Sequence, residues 1–199
     1  VEQATIIFEQ QFNAIGQTIS LINNPATAAT VPLASRHNLA RSIRAVAEKL
    51  DPLNDILVVF LSSHGAENAT IAVEFEHFQM KDLSATDLRA ILDENRVKWR
   101  VVIVSACYSG SFIEELASPT TIVISAAAPD RASFGCSNEN EWTYFGRAYF
   151  EQALRQTNSL TAAFEIARKI VTERETTENR KASLPQISVG REIEAHLRK

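Results

Sequence analysis

Three short apolar runs constrain this chain most: Ile56–Leu61, Val101–Val104 and Thr121–Ser125, each followed at once by small or polar residues. They are too short for helix cores and rich in β-branching, so they read as strands buried on both faces, the kind found in parallel sheets covered by helices. Between the runs the spacing is helical. Leu39, Ile43, Val46 and Leu50 make one apolar stripe behind Ser35, a helix-capping residue type, and Asp51-Pro52 stops that helix. Ser84-Ala85-Thr86-Asp87 has the form of a capping box and opens a helix carrying Leu88, Ile91 and Leu92. Buried strands alternating with amphipathic helices imply an α/β fold with a mostly parallel sheet covered on both faces.

The rest of the chain fills in around this frame. Ala4, Phe8, Phe12 and Ile15 predict a helix over the first fifteen residues, ended by Gly16. Thr18–Ile22 reads as a short strand, Asn23–Ala34 as a loop, and Thr70–Phe78 as an exposed strand or hairpin bearing His77. Phe112–Leu116 is a helix or turn, and Ala126–Asn140 a loop. Helices are expected over Tyr144–Leu154 and from Ser159 to about Thr172. A polar, mobile stretch to Ser183, a last strand Leu184–Val189 and a charged terminal helix Arg191–Lys199 complete the chain.

A chain of 199 residues with 45% hydrophobic and 22% charged residues has an ordinary globular composition, and we expect one domain over 1–199. A net charge of -4 speaks against nucleic acid, and the densest basic run, Arg174, Arg180 and Lys181, is interleaved with Glu173, Glu175 and Glu178. No apolar run approaches the roughly 18 residues of a membrane span, and no membrane contact is evident. The chain begins at Val1 in helix-like sequence without a methionine, so the native start is expected to be absent. A single bridge between Cys107 and Cys136 would be a poor staple for a domain of this size; both are expected as thiols.

Two of the buried strands end on chemically capable side chains. Ile56–Leu61 leads into Ser62-Ser63-His64-Gly65, and Val101–Val104 leads into Ser105-Ala106-Cys107-Tyr108-Ser109-Gly110. Reacting groups of open α/β sheets collect at the carboxyl ends of strands, so one parallel sheet brings His64 and Cys107 to the same rim. The thiolate is the reactive form of cysteine, and a neighbouring imidazole takes its proton. Gly65 permits close backbone approach, and its N–H with that of Cys107 can face an oxyanion. Alone, Cys107 would be a small buried hydrophobe and His64 a backbone-bonded imidazole. Their matching placement favours chemistry. His37, His77 and His196 lack the strand-end setting, and Cys136 is assigned to packing or a supporting place near the site. The nucleophile elbow of α/β-hydrolases is a weaker match, because its two glycines are serines here and only His196 follows the cysteine. Zinc is weaker still, since His64, His77, Cys107 and Cys136 have no paired ligand spacing.

Phe60-Leu61-Ser62-Ser63-His64-Gly65 followed by Val104-Ser105-Ala106-Cys107-Tyr108-Ser109-Gly110 resembles the histidine-glycine and alanine-cysteine motifs of caspase-like cysteine peptidases. Within that group the chain is most similar to the legumain family, which includes the catalytic subunit of the GPI-anchor transamidase, and particularly to its bacterial members. The similarity continues through Ile122–Pro129, Ser133–Cys136 and Thr143–Gly146. The resemblance implies a caspase-like three-layer α/β/α sandwich, a Cys107 nucleophile, a His64 general base or acid, and an oxyanion hole from the Gly65 and Cys107 amides. It implies peptide-bond cleavage in a protein or peptide substrate through an acyl-enzyme, with no metal or organic cofactor. Transfer of the acyl group to an amine, as in a transamidase or ligase, and a non-catalytic interaction domain are the alternatives. The family's first core strand, which in legumains ends on a histidine-orienting asparagine, would precede the first helix and has no counterpart in this sequence. Asparagine-specific members carry acids where this chain has Ser105 and, by our alignment, Arg147, so that specificity does not carry over; Ser105 and Ser133 are the expected substrate-binding residues.

Overall fold

Residues 2–76, 78–135 and 142–198 are described by the structure, a computed structural model. His77, Cys136 and the acidic, amide-rich 137–141 lie outside the described residues. In chain order the elements begin with α1 (Glu2–Gln11), α2 (Arg36–Ala47), β1 (Leu57–Ser62), β2 (Gly65–Ala66), β3 (Thr70–Ile71), β4 (Leu83–Ser84) and α3 (Ala85–Glu94). They continue with β5 (Arg100–Ser105), α4 (Ser111–Leu116), β6 (Thr121–Ser125), α5 (Tyr144–Gly146) running into a π-helical segment (Arg147–Ala153), α6 (Leu160–Thr177), β7 (Gln186–Val189) and α7 (Arg191–His196).

The apolar runs form one sheet in the order β1-β5-β6-β7; the first three strands are parallel and β7 is antiparallel to β6. Val101–Val104 are each 0% exposed, and their side chains alternate between two cores, as strand geometry requires. Val101 and Ile103 join Val58, Phe60, Ile122 and Ile124 against α1, α5, the π-helical segment and α6. Val102 and Val104 join Leu57, Val59 and Val123 against α2, α3 and α4. Burial of each such side chain is worth about 1.5–3 kcal/mol, so the centre of the sheet is the rigid part of the molecule. The result is three layers, helices over both faces of a mostly parallel sheet. A small antiparallel sheet, β2-β3-β4, sits beyond the end of β1.

Local sequence signals hold where a cap is present. Ser35 accepts from the Asn38 N–H at 3.2 Å, Ser84 from Asp87 at 3.0 Å and Ser159 from Ala162 at 3.3 Å. Elsewhere several expectations are corrected. Helix α1 stops at Gln11 because Asn13 turns to φ 54°, which leaves Ile15, expected on its apolar stripe, 73% exposed. Thr18–Ile22 forms no strand: its hydroxyls turn back to α1, Thr18 Oγ1 donating to Glu9 at 2.6 Å, and the Ile22 N–H goes to the Pro32 carbonyl at 3.0 Å. Thr70–Phe78 shortens to a two-residue strand because Asp82 takes the Val73 N–H at 3.0 Å and Glu76 turns the chain at φ 46°.

Tyr144–Leu154 is helical but widens to π geometry, Leu154 N–H donating to the Tyr149 carbonyl at 2.9 Å. The stretch expected to be mobile after Thr172 continues α6 to Thr177. Thr172, Thr176 and Thr177 return their hydroxyls to carbonyls four residues back, and the buried Glu175 accepts the Ser183 N–H at 3.0 Å. The last strand begins at Gln186, two residues late, after Leu184 at φ 55°.

Candidate active site

Register decides which side chains meet at the carboxyl rim. Ser62 of β1 is the parallel partner of Ser105 of β5, and His64 and Cys107 each lie two residues further on. The Ser63 N–H donates to the Ser105 carbonyl at 3.4 Å, extending the ladder one step past the strands. Gly65 then packs against Cys107 itself: a Cβ built on Gly65 would stand 2.0 Å from the Cys107 carbonyl oxygen. The two strand-end turns are in backbone contact, which only glycine permits.

Each turn is separately braced. The His64 carbonyl accepts the Ala72 N–H at 2.9 Å, and Ser63 Oγ donates to the Ala72 carbonyl at 2.7 Å, so the β2–β3 hairpin holds the exposed His64 from behind. On the other side Tyr108 is in the left-handed region at φ 56°, a strained setting for a side chain of this size. Its N–H donates to the Arg131 carbonyl at 2.7 Å, and its carbonyl accepts the Ser111 hydroxyl at 2.6 Å. The buried Ser109 hydroxyl accepts the Ala127 N–H at 3.2 Å. Gly110 lies so close to Pro129 and Ala127 that a Cβ would meet backbone at 2.7–2.8 Å. These contacts over-determine the turn and present Cys107 half-buried at the rim.

Ser133 lies at the sulfur, its N–H donating to Cys107 Sγ at 3.3 Å while its carbonyl stands 3.5 Å from the same atom. Ser133 thus meets Cys107 Sγ with a donor and an acceptor at once. Ser105 is fully buried and shares a 2.7 Å hydrogen bond with the Thr143 hydroxyl. Thr143 also caps α5 by accepting the Gly146 N–H at 2.9 Å. Thr143 was named in the sequence only within the Thr143–Gly146 stretch of family similarity and was not assigned to the site; nothing in its spacing announces a partner 38 positions away. Arg147, aligned to a specificity position, is instead 55% exposed at its side chain and pairs with Glu151 at 2.7 Å. His196 stacks on Trp99 at 4.3 Å and bonds the Asn54 carbonyl at 2.9 Å, at the opposite end of β5 from Cys107. That placement removes the α/β-hydrolase reading.

The sequence matches the model of the peptidase C13 family over residues 30–195. The chain belongs to the peptidase C13 family. It is a member of the legumain-like group of caspase-fold cysteine peptidases, as the histidine and cysteine motifs implied. A search among curated proteins returns no match. Among solved structures the peptidase is similar to caspase-1 from Spodoptera frugiperda, with a TM-score of 0.63 at 14% identity, over 95% of this chain and 77% of that one. At that identity the similarity establishes the caspase-like α/β/α fold.

Proposed function

We propose that this peptidase cleaves internal peptide bonds of a protein or peptide substrate, with Cys107 as nucleophile and His64 as the group that moves the proton. In the first step the Cys107 thiol gives its proton to the His64 imidazole, and the sulfur attacks the scissile carbonyl carbon. The electron pair displaced onto the carbonyl oxygen is received by the N–H groups of Gly65 and Cys107. The protonated imidazole then donates to the leaving amine as the C–N bond breaks, leaving an acyl-enzyme on Cys107. Water, deprotonated by His64, attacks the thioester, releases the acid and restores the thiol.

The observation that carries this reading is the equal offset of His64 and Cys107 from the paired Ser62 and Ser105. The orientation of Gly65 adds to it. Because the Ala72 N–H bonds the His64 carbonyl, antiparallel alternation turns the Gly65 N–H away from β3. Ser105 and Ser133 are the residues assigned to substrate binding: the Ser133 hydroxyl lies 3.9 Å from Cys107 Sγ, and the buried Ser105 acts through its hydrogen bond with the Thr143 hydroxyl.

The experiment is peptide-library cleavage read by mass spectrometry, with and without an added amine nucleophile. Internal cleavage to free acids, abolished in Cys107→Ser, is the expected result. Amide products in the presence of the amine would assign the acyl transfer to a transamidase or ligase. No cleavage and no acyl adduct from the full chain would leave a non-catalytic interaction domain.

A further inference from the structure

Helix α6 carries a carboxyl where its spacing calls for an apolar side chain. Leu160, Ala163, Phe164, Ala167 and Val171 form the buried stripe, and Glu175, four residues on, continues it at 2% exposed. The flanking Arg174 and Arg180 pair with Glu178 instead, at 2.8 and 3.7 Å. Glu175 Oε2 accepts the Ser183 N–H at 3.0 Å, while its Oε1 and the buried Ser183 hydroxyl have no hydrogen-bond partner among the described residues. A buried carboxyl so incompletely satisfied is costly to the fold, and a leucine at this position would complete the stripe. The bond to Ser183 is what Glu175 supplies that leucine cannot.

From Ser183 a run of backbone hydrogen bonds leads to the nucleophile. The Ser183 carbonyl accepts the Ala128 N–H at 2.8 Å, the Ala128 carbonyl accepts the Arg131 N–H at 3.1 Å, and the Arg131 carbonyl accepts the Tyr108 N–H at 2.7 Å. Tyr108 adjoins Cys107 and is held at φ 56°, a conformation that persists only where its surroundings over-determine it. The same turn fixes the other side of the thiol: two residues past Arg131, the Ser133 N–H donates to Cys107 Sγ at 3.3 Å. Ser183 and Ala128 are 1% and 4% exposed, so water does not stand in for the bond between them.

We propose that Glu175 is a positioning residue for the Cys107 nucleophile. It fixes Ser183, and through Ser183 the Ala128–Arg131 turn that keeps Tyr108 in the left-handed region and Ser133 at the sulfur. Without the Glu175 acceptor the turn is free to draw back, Tyr108 relaxes, and the sulfur loses its place beside the Gly65 and Cys107 amides. The effect on cleavage rests on the proposed peptidase activity; the tether to Tyr108 does not.

The test uses the 199-residue chain with Glu175→Leu, which fills the stripe but offers no acceptor, and Glu175→Gln, which keeps one. Ile193→Ala controls for general loss of stability, since the buried Ile193 bonds the Pro119 carbonyl ahead of β6, at the opposite end of the sheet from Cys107. Amide exchange at Tyr108, taken relative to Val102 in the sheet centre, is expected to rise about tenfold in Glu175→Leu. There kcat is expected to fall about tenfold with KM little changed, the mark of a misplaced reacting group. Glu175→Gln keeps both within about threefold of wild type, and Ile193→Ala changes neither. Should Glu175→Leu fail to fold, Glu175→Asp, whose shorter side chain withdraws the acceptor, decides by the same readings. A Tyr108 ratio unmoved by Glu175→Leu, or a Glu175→Gln chain as impaired as Glu175→Leu, overturns the proposal. So does an equal loss in Ile193→Ala. A wild-type chain that cleaves nothing overturns the peptidase reading instead, and the Tyr108 ratio still decides this one.

Discussion

A side-chain carbon on Gly65 would stand 2.0 Å from the carbonyl oxygen of Cys107, far inside any non-bonded contact. The backbone that carries the imidazole and the backbone that carries the thiol are thus packed directly on each other. Gly65→Ala forces them apart, and the partner is backbone that cannot swing away. The expected result is a loss of about a hundredfold or more in kcat/KM, the scale seen when an oxyanion donor is removed or a reacting group is misplaced by an ångström. Overpacking of about 1–3 kcal/mol should lower Tm as well. A variant with full activity would show that this contact does not position the site.

Cys107 and His64 should fail together. Cys107→Ser and His64→Ala each lose several orders of magnitude in kcat/KM, and the double variant loses little more, because members of one catalytic unit are not additive. Iodoacetamide should label Cys107 ahead of Cys136, and His64→Ala should slow that labelling. Peptide mapping of the alkylated chain reads both; equal labelling of the two cysteines would count against the dyad.

The Ser105–Thr143 hydrogen bond, 2.7 Å long with Ser105 fully buried, predicts a coupled pair. Ser105→Ala leaves the Thr143 hydroxyl only its bond from the Gly146 N–H and should cost about 0.5–1.5 kcal/mol. Thr143→Val, which also removes the α5 cap and leaves the buried Ser105 hydroxyl unpaired, should cost more, about 1–3 kcal/mol, and the double variant less than the sum by about 0.5–3 kcal/mol. Denaturant melts of the four proteins measure the cycle. A shift in the preferred substrate side chain in Ser105→Ala would place this pair in the binding pocket.

Glu178 gives a pH dependence with a definite sign. Its carboxyl is held below the ordinary range first by the hydrogen bond from Arg174 and then by that from Tyr144. The Arg174 guanidinium also lies 3.5 Å over the Tyr144 ring. A depressed folded pKa contributes stability above the unfolded value, about 4.3, and that stability is lost as pH falls through the folded value. The Tm difference between wild type and Glu178→Gln should therefore be constant near neutrality and shrink below about pH 4. A difference that grows in acid would refute this cause.

Glu175 is buried near the end of α6 and accepts the Ser183 N–H, while the Ser183 carbonyl accepts from Ala128 at 2.8 Å. Glu175→Ala should cost about 1–3 kcal/mol by leaving a buried donor unpaired. It should also speed amide exchange at Ser183 and Ala128; unchanged exchange at both would show that Glu175 does not tether this segment.

Much of the fold was legible because strands buried on both faces and capped amphipathic helices write themselves into local sequence. Val101–Val104 could be read as a central strand, and Ser84 and Ser159 as helix starts, from neighbours alone. Thr18–Ile22 could not, because a strand exists only through its partner, and its own hydroxyls found α1 instead. The run after Thr172 looked mobile for a related reason: its polarity conceals side-chain bonds to the helix's own carbonyls and a buried carboxylate.

His64 and Cys107 were legible as candidates because each follows a buried strand in a short run of small residues. Sequence by itself therefore determined the sheet, its covering helices and the two chemically capable strand ends. Tertiary structure decided the rest: the register that gives His64 and Cys107 the same offset, the Gly65 contact, the Ser133 N–H at the sulfur and Thr143 beneath Ser105. Those relationships join positions far apart in the chain, and they are set by hydrogen-bond registry and close packing, which no local pattern encodes.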